Sequence, residues 1–321
     1  MRVARLMVQA GSIPASRLLC CEFLLKEKQM KIVKGVRPSP RRIMLYGPHG
    51  IGKGTWASKA PSPIFLDIEG GLEDTDCERT SRLGSLGQVA EALTWLISGE
   101  HDYKTCVIDT IDWLEQLIHK QIVKDGGKSA IKSIADIGYG KGYARAIPMW
   151  SFIISQLEQL RTQRKMAIIL LSHAKVERYE APDSESYDRY SPDLHKSSCG
   201  MLQEWCDEVL FATSRVFIKK QEEGFNKTRA VAIDGKERYI RTCESASSLA
   251  KNRLNLPEEL PLEWSAYMAV VSKHYAAHAQ PEATAEATTV DVSGIVVDGS
   301  SKAPEVDPEY QEVLAEAAKI F

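Results

Sequence analysis

Four short apolar runs recur along the chain, and each ends in glycine or in a polar residue. Ile43-Met44-Leu45 leads into Tyr46-Gly47, and Ile64-Phe65-Leu66-Asp67-Ile68-Glu69 ends in Gly70-Gly71-Leu72. Thr105-Cys106-Val107-Ile108 ends in Asp109-Thr110, and Met166 to Leu171 ends in Ser172-His173. Runs this short, bounded by turn residues, read as buried strands. Between them lie helical patterns: a helix starting in Trp56 to Lys59, one over Leu86 to Ile97, one carrying Asp112 and Glu115, and a long amphipathic one from Pro148 to about Arg164. Strands alternating with helices predict an α/β fold with a mostly parallel sheet flanked by helices.

Past Ser172-His173 the pattern changes. Ala174 to Gly200 is polar, with Pro182 and Pro192, and is too long for a plain connector, so it is expected to move and to serve function. After a short helix from Met201, strands are predicted around 209–212, 214–219, 228–233 and 239–243. Gly224 and Asp234-Gly235 would turn them into an antiparallel meander at one sheet edge. A helix over Leu262 to Tyr275 closes the domain. The expected organisation is a leader over 1–29, one domain over 30–278, an unstructured linker over 279–308 rich in Ala, Thr, Glu, Pro and Ser, and a short terminal helix over 309–321. Met30-Lys31-Ile32-Val33-Lys34 reads as a strand leading toward the first buried run, with Met30 the expected biological start.

Composition narrows the function classes. A chain of 321 residues that is 44% hydrophobic can bury one substantial core. Its net charge of −2 confines any nucleic-acid contact to local patches, such as Lys31, Lys34, Arg37, Arg41 and Arg42 before the first run. No apolar run approaches the ~20 residues of a membrane span. Seven scattered cysteines without metal-ligand spacing look like reduced thiols, which points to the cytoplasm.

Gly47-Pro48-His49-Gly50-Ile51-Gly52-Lys53-Gly54-Thr55 satisfies G-x-x-x-x-G-K behind a strand and ahead of a helix. Its glycines let backbone N–H groups turn onto phosphate oxygens, the helix start favours the same anion, and Lys53 reaches the β- and γ-phosphates. Gly54 stands where Ser or Thr usually gives Mg²⁺ a hydroxyl. Either the metal shell is completed by water with Thr55 close by, as in the adenylate-kinase-type loop that Gly-Lys-Gly-Thr resembles, or an ATPase tolerates weaker metal binding.

The other strand ends carry the remaining chemistry. Glu69, beside Gly70-Gly71, is placed to polarise water at the γ-phosphate, with Asp67 as substitute; either could instead cap a loop. Asp109 has the form of a Walker B carboxylate that holds Mg²⁺ through its water shell. His173 ends the fourth strand and is a candidate γ-phosphate sensor. Asp112 and Glu115 are expected to face solvent. Gly138-Tyr139-Gly140-Lys141-Gly142-Tyr143-Ala144-Arg145 interleaves cations with rings, so Tyr139, Lys141, Tyr143 and Arg145 are candidate contacts to unpaired bases, and a locally packed loop is the bland alternative.

Together these motifs resemble the RecA-like ATPases, most closely the phage-type nucleotide-binding proteins of the RadA and Sak group, often labelled AAA-family ATPases. The likeness covers roughly Lys31 to Tyr275. It implies a RecA-like P-loop core, Glu69 as water-activating glutamate, Asp109 as Walker B aspartate and His173 as sensor. It also implies DNA-contacting loops near 138–145 and 174–199, and Lys251 and Arg253 reaching into a neighbour's ATP site. ATP and Mg²⁺ are the implied cofactors. Single-stranded DNA, further copies of the chain in a ring or filament, and a phage single-strand-binding or recombination protein are the implied partners. The expected function is ATP binding and hydrolysis on single-stranded DNA in phage-type recombination, annealing or repair. A small-molecule kinase and a non-hydrolysing nucleotide-gated scaffold are the alternatives.

Overall fold

Side chains along five parallel strands alternate between two apolar faces. Met44 and Tyr46, Leu66 and Ile68, Cys106 and Ile108, Ile168 and Leu170, and Val209 and Phe211 pack on one side. Ile43 and Leu45, Phe65, Val107, Ile169 and Leu171, and Leu210 and Ala212 pack on the other. Period-two alternation between two cores is what a sheet covered on both faces requires. Each large side chain so buried contributes about 1.5–3 kcal/mol.

The computed structural model describes residues 30–31, 35–126, 132–180, 185–222, 228–278 and 289–290. Its strands are β1 (Met30–Lys31), β2 (Arg42–Gly47), β3 (Pro63–Asp67), β4 (Glu78–Arg79), β5 (Thr105–Asp109), β6 (Ala167–Tyr179), β7 (Tyr187–Pro192), β8 (Glu208–Glu222), β9 (Thr228–Arg241), β10 (Lys251–Asn252), β11 (Glu259–Pro261) and β12 (Thr289–Val290). The helices are α1 (Lys53–Ala57), α2 (Leu86–Ser98), α3 (Ile111–Asp125), α4 (Lys141–Gln163), α5 (Lys196–Trp205) and α6 (Trp264–His278). The main sheet runs β11-β9-β8-β2-β6-β5-β3-β4, with β8, β2, β6, β5, β3 and β4 mutually parallel and β9, β10 and β11 antiparallel at one side. Helices α2 to α5 cover one face, while α1 and α6 cover the other. β1 and β12 form a separate antiparallel pair. The expected leader and terminal helix lie outside the described residues, as does the expected linker apart from β12.

Several elements differ from expectation. β6 continues past His173 to Tyr179 and folds back as β7, so much of the polar run from 174 is an antiparallel hairpin followed by α5. In place of the expected four-strand meander stand two long paired strands, β8 and β9, with a bulge in β8 between Ser214 and Val216, and Asp234-Gly235 lies inside β9 rather than in a turn. Gly224 lies outside the described residues. α4 begins at Lys141 instead of Pro148, because Gly140 adopts φ 73° ahead of it and Gly142 packs against the Ile134 carbonyl. Arg41 and Arg42 stand at the amino end of β2, paired with Glu208 and, at 2.7 Å, with Asp207, so their charge is engaged away from the glycine-rich loop.

Gly47, where β2 meets the loop, touches β8. A Cβ there would lie 2.4 Å from the Ala212 carbonyl oxygen. The close approach of β2 and β8 therefore excludes any side chain at this position. Gly47→Ala is expected to cost about 1–3 kcal/mol, read as a lower urea midpoint with an unchanged slope; an unchanged midpoint would contradict the close packing.

Candidate functional site

The site assembles from strand register. Gly47 of β2 pairs with His173 of β6, while Leu171 of β6 pairs with Asp109 of β5, which in turn pairs with Asp67 of β3. His173 and Glu69 thus each lie two residues beyond the Asp109 row. The chain after β3 then leans across the end of β5, because the backbone N–H groups of Ile68 and Glu69 both donate to the Asp109 carbonyl, at 2.9 and 3.1 Å. Glu69 consequently sits past the strand rather than in it, with its Oε1 3.7 Å from His173 Nε2. Asp67 is the loop cap, accepting the Gly70 N–H at 2.7 Å.

Across this edge runs the glycine-rich loop. Gly50 and Gly52 hold φ 69° and 108°, which a side chain would strain. Lys53 is buried, and its ammonium donates to the Gly47 and Pro48 carbonyls at 3.0 Å each. Burial lowers its pKa, opposed by the negative charges of Asp109, Asp112 and Glu69. Burial and then Glu69 push the Asp109 carboxyl up to about 7, against the pull of Lys53.

Asp112 and Glu115 contradict the expectation of solvent exposure: both are buried. α3 starts right after Thr110 and turns both acids toward β6 and the 193–195 turn. Asp112 Oδ1 accepts the His173 backbone N–H at 3.0 Å, and Oδ2 lies 2.9 Å from His173 Nδ1. Burial pushes this carboxyl up, but the His173 hydrogen bonds outweigh it and leave it below its ordinary range. Glu115 accepts the His195 N–H at 2.7 Å. The spacing of Asp112, Glu115 and His119 along one helix face was the available signal.

The remaining expected residues divide. His49 stacks on His173 with centroids 3.7 Å apart. Thr55 opens onto a pocket of about 460 Å³ between Trp56 and Lys59 on one wall and Arg238, Leu262 and Trp264 on the other. A Cβ on Gly54, by contrast, would face Leu72, just beyond Glu69-Gly70-Gly71. Thr55 is thus not the residue turned toward the acids, a departure from its expected metal role. Arg238, missed in the sequence, donates to the Ile51 carbonyl at 3.1 Å. Tyr139 is fully exposed, whereas Tyr143 stacks on His195 at 4.1 Å and is not free to take a base. Lys141 is exposed and Arg145 half-buried. Lys251 donates to the carbonyls of Gln203, Glu204 and Cys206, closing the end of α5, and Arg253 pairs with Asp207 at 3.3 Å. Both stand at the amino end of the sheet, away from Gly47.

Mg²⁺ fits the donor set in part. Glu69 raises the cost of ionising Asp109, which a cation would relieve, but position 54 offers no hydroxyl, so water must complete the shell. The strand order and the loop define an α/β P-loop NTPase core. A family model described as an AAA domain matches residues 39–254, and the chain belongs to that family. No curated protein matches in sequence. Among solved structures, one described as the crystal structure of the RadB recombinase is similar at 11% identity and a TM-score of 0.37, over 71% of this chain and 90% of that one. Among the described residues no helix is long and apolar enough to cross a membrane.

Two outcomes follow. Folded Asp109 keeps its proton up to about 7, against an ordinary value of 3.8, so between these the folded chain binds more protons and stability falls as pH rises. Asp109→Asn removes that slope, and thermal melts near pH ~8 should show a higher midpoint than the parent; parallel pH profiles would refute it. Asp112→Ala should cut nucleotide turnover about tenfold to a hundredfold while nucleotide affinity changes little. Equal losses in both would mean that Asp112 merely holds the fold.

Proposed function

We propose that the protein hydrolyses ATP with Mg²⁺ and acts on single-stranded DNA in recombination, annealing or repair of the phage type, as an assembly of like chains. The observation that carries the hydrolytic half is the meeting of Glu69 and His173, 3.7 Å apart, above Asp109 and beside Lys53. The loop amides and Lys53 hold the β- and γ-phosphates, and the Thr55–Trp264 pocket is of a size for the nucleobase. Buried Trp56 Nε1 has no hydrogen-bond partner among the described residues there. Glu69 accepts a proton from water as its oxygen bonds the γ-phosphorus and the bond to the ADP oxygen breaks. With both ring nitrogens protonated, His173 donates through Nε2 to the γ-phosphate while Asp112 accepts from Nδ1. Mg²⁺ carried near Asp109 would neutralise phosphate charge.

The DNA half draws on the hairpin. β6 runs without a break from His173 into an arm carrying Lys175, Arg178 and Tyr179, and Arg189 of β7 lies over the Tyr179 ring at 3.9 Å. Asp193, the residue after the return strand, donates its N–H to the His173 carbonyl at 2.9 Å. Both ends of an aromatic hairpin, whose Lys175, Arg178 and Arg189 stand among the acids Glu177, Glu180, Glu185, Asp188 and Asp193, are thereby tied to the residue that would sense the γ-phosphate, and exposed Tyr139 adds a second stacking surface. Lys251 and Arg253 would reach a neighbour's site only from the sheet's amino end. Gly54 favours one further reading, a scaffold that binds ATP without cleaving it.

Phosphate release measured with and without single-stranded DNA tests the proposal. Hydrolysis should require Mg²⁺, rise with single strands, and fall by at least about a hundredfold in Lys53→Ala. A rate indifferent to DNA would remove the DNA half. Tight ATP binding with no release under any DNA condition would leave the scaffold.

A further inference from the structure

A phosphate loop recognises its anion through backbone amides, so nothing in that task calls for an imidazole at position 49. Yet His49 points at the two side chains that meet above Asp109. The ligand atoms of His49, Glu69 and His173 all lie within 4.8 Å of one another. The two rings stack at 3.7 Å and 22°, so the exposed His49 ring has to turn out of the stack for its lone pair to meet an ion at His173 Nε2, and Glu69 Oε1 lies 3.7 Å from that nitrogen.

We propose that His49, Glu69 and His173 form a site for a late first-row divalent ion of the Zn²⁺ or Co²⁺ kind, separate in chemistry from Mg²⁺. Two imidazoles and one carboxylate suit such ions, whereas Mg²⁺ demands oxygen ligands. The surroundings are those of a built metal site. Asp112 engages His173 Nδ1 at 2.9 Å, which leaves Nε2 with its lone pair toward the cluster. A carboxylate behind a histidine in this way orients the ring and raises its basicity. His49 is exposed, giving the ion a way in, and the glycines at 50 and 52 let its loop adjust. Lys53 is an opposing cation; its ammonium is bonded to the Gly47 and Pro48 carbonyls and feels the acids Asp109, Asp112 and Glu69. The ion and the γ-phosphate claim the same two side chains, so the site belongs to the nucleotide-free state. This last point rests on the proposed ATP site; ion binding itself does not.

Titration of the nucleotide-free, full-length protein with Co²⁺, followed by visible absorption, tests the site. One ion per chain should bind, without the near-ultraviolet thiolate band that a cysteine ligand would give. His49→Ala, an exposed position whose fold is checked by circular dichroism, should weaken binding at least ~10-fold, and Asp112→Asn should do so by ~10–100-fold through loss of ring orientation. Cys77, a partly exposed free thiol within electrostatic reach of Asp109, is the control, and Cys77→Ser should bind as the parent does. Absence of saturable binding, a thiolate band, or an affinity untouched by His49→Ala would each overturn the proposal. Because no nucleotide is present, failure of ATP hydrolysis in a separate assay would leave a positive result standing.

Discussion

Parallel pairing of β2, β6, β5 and β3 sets the level at which every functional side chain emerges. Gly47 stands opposite His173, while Asp109 stands opposite Leu171 and Asp67. A slip of one residue in any of these pairings would send the strand's alternating side chains to the opposite faces. The register is held because each strand is apolar on both sides, with Met44 and Tyr46 facing one core and Ile43 and Leu45 the other. The edge that carries the candidate site is thereby a consequence of packing some distance beneath it.

α3 joins that edge to the surface. Its first turn carries Asp112, which grips His173, and its next carries Glu115, which grips the turn before α5. Farther along, His119 meets the edge of Tyr143, which is stacked on His195. These contacts tie one rigid helix to the strand that would sense phosphate, to the root of the β6–β7 hairpin and to the start of α4. The arrangement carries both halves of the proposed activity, since a shift at His173 has a physical route to the elements proposed to meet DNA. The same clamp on His173 Nδ1 is what fits Nε2 for a metal ion.

The order of strands and helices was readable because short apolar runs and amphipathic segments have different periods, and the runs ended in glycine, carboxylate or histidine. Glu69, Asp109 and His173 stood out because each is polar where an apolar run ends, and Lys53 because it closes the glycine-rich motif. Other features were not. The continuation of β6 through Ala174–Tyr179 lacks an apolar face, and its partner β7 is equally polar, so only mutual pairing makes either a strand. Asp112 and Glu115 look like surface acids on a helix until α3 is seen to turn that face inward. Tyr143 reads as a stacking residue by composition, yet its ring is already occupied by His195.

What the chain determined by itself was local: alternation that makes strands, glycines that admit positive φ, a lysine behind them, and charge at strand ends. Which of those charges meet was decided only by tertiary structure, because Glu69 and His173 are 104 positions apart and are joined by register across β5. The same holds for Lys251, whose ammonium is engaged by three carbonyls at the end of α5. Sequence specifies what a side chain can do, but its protonation, partners and exposure depend on neighbours that arrive from far along the chain.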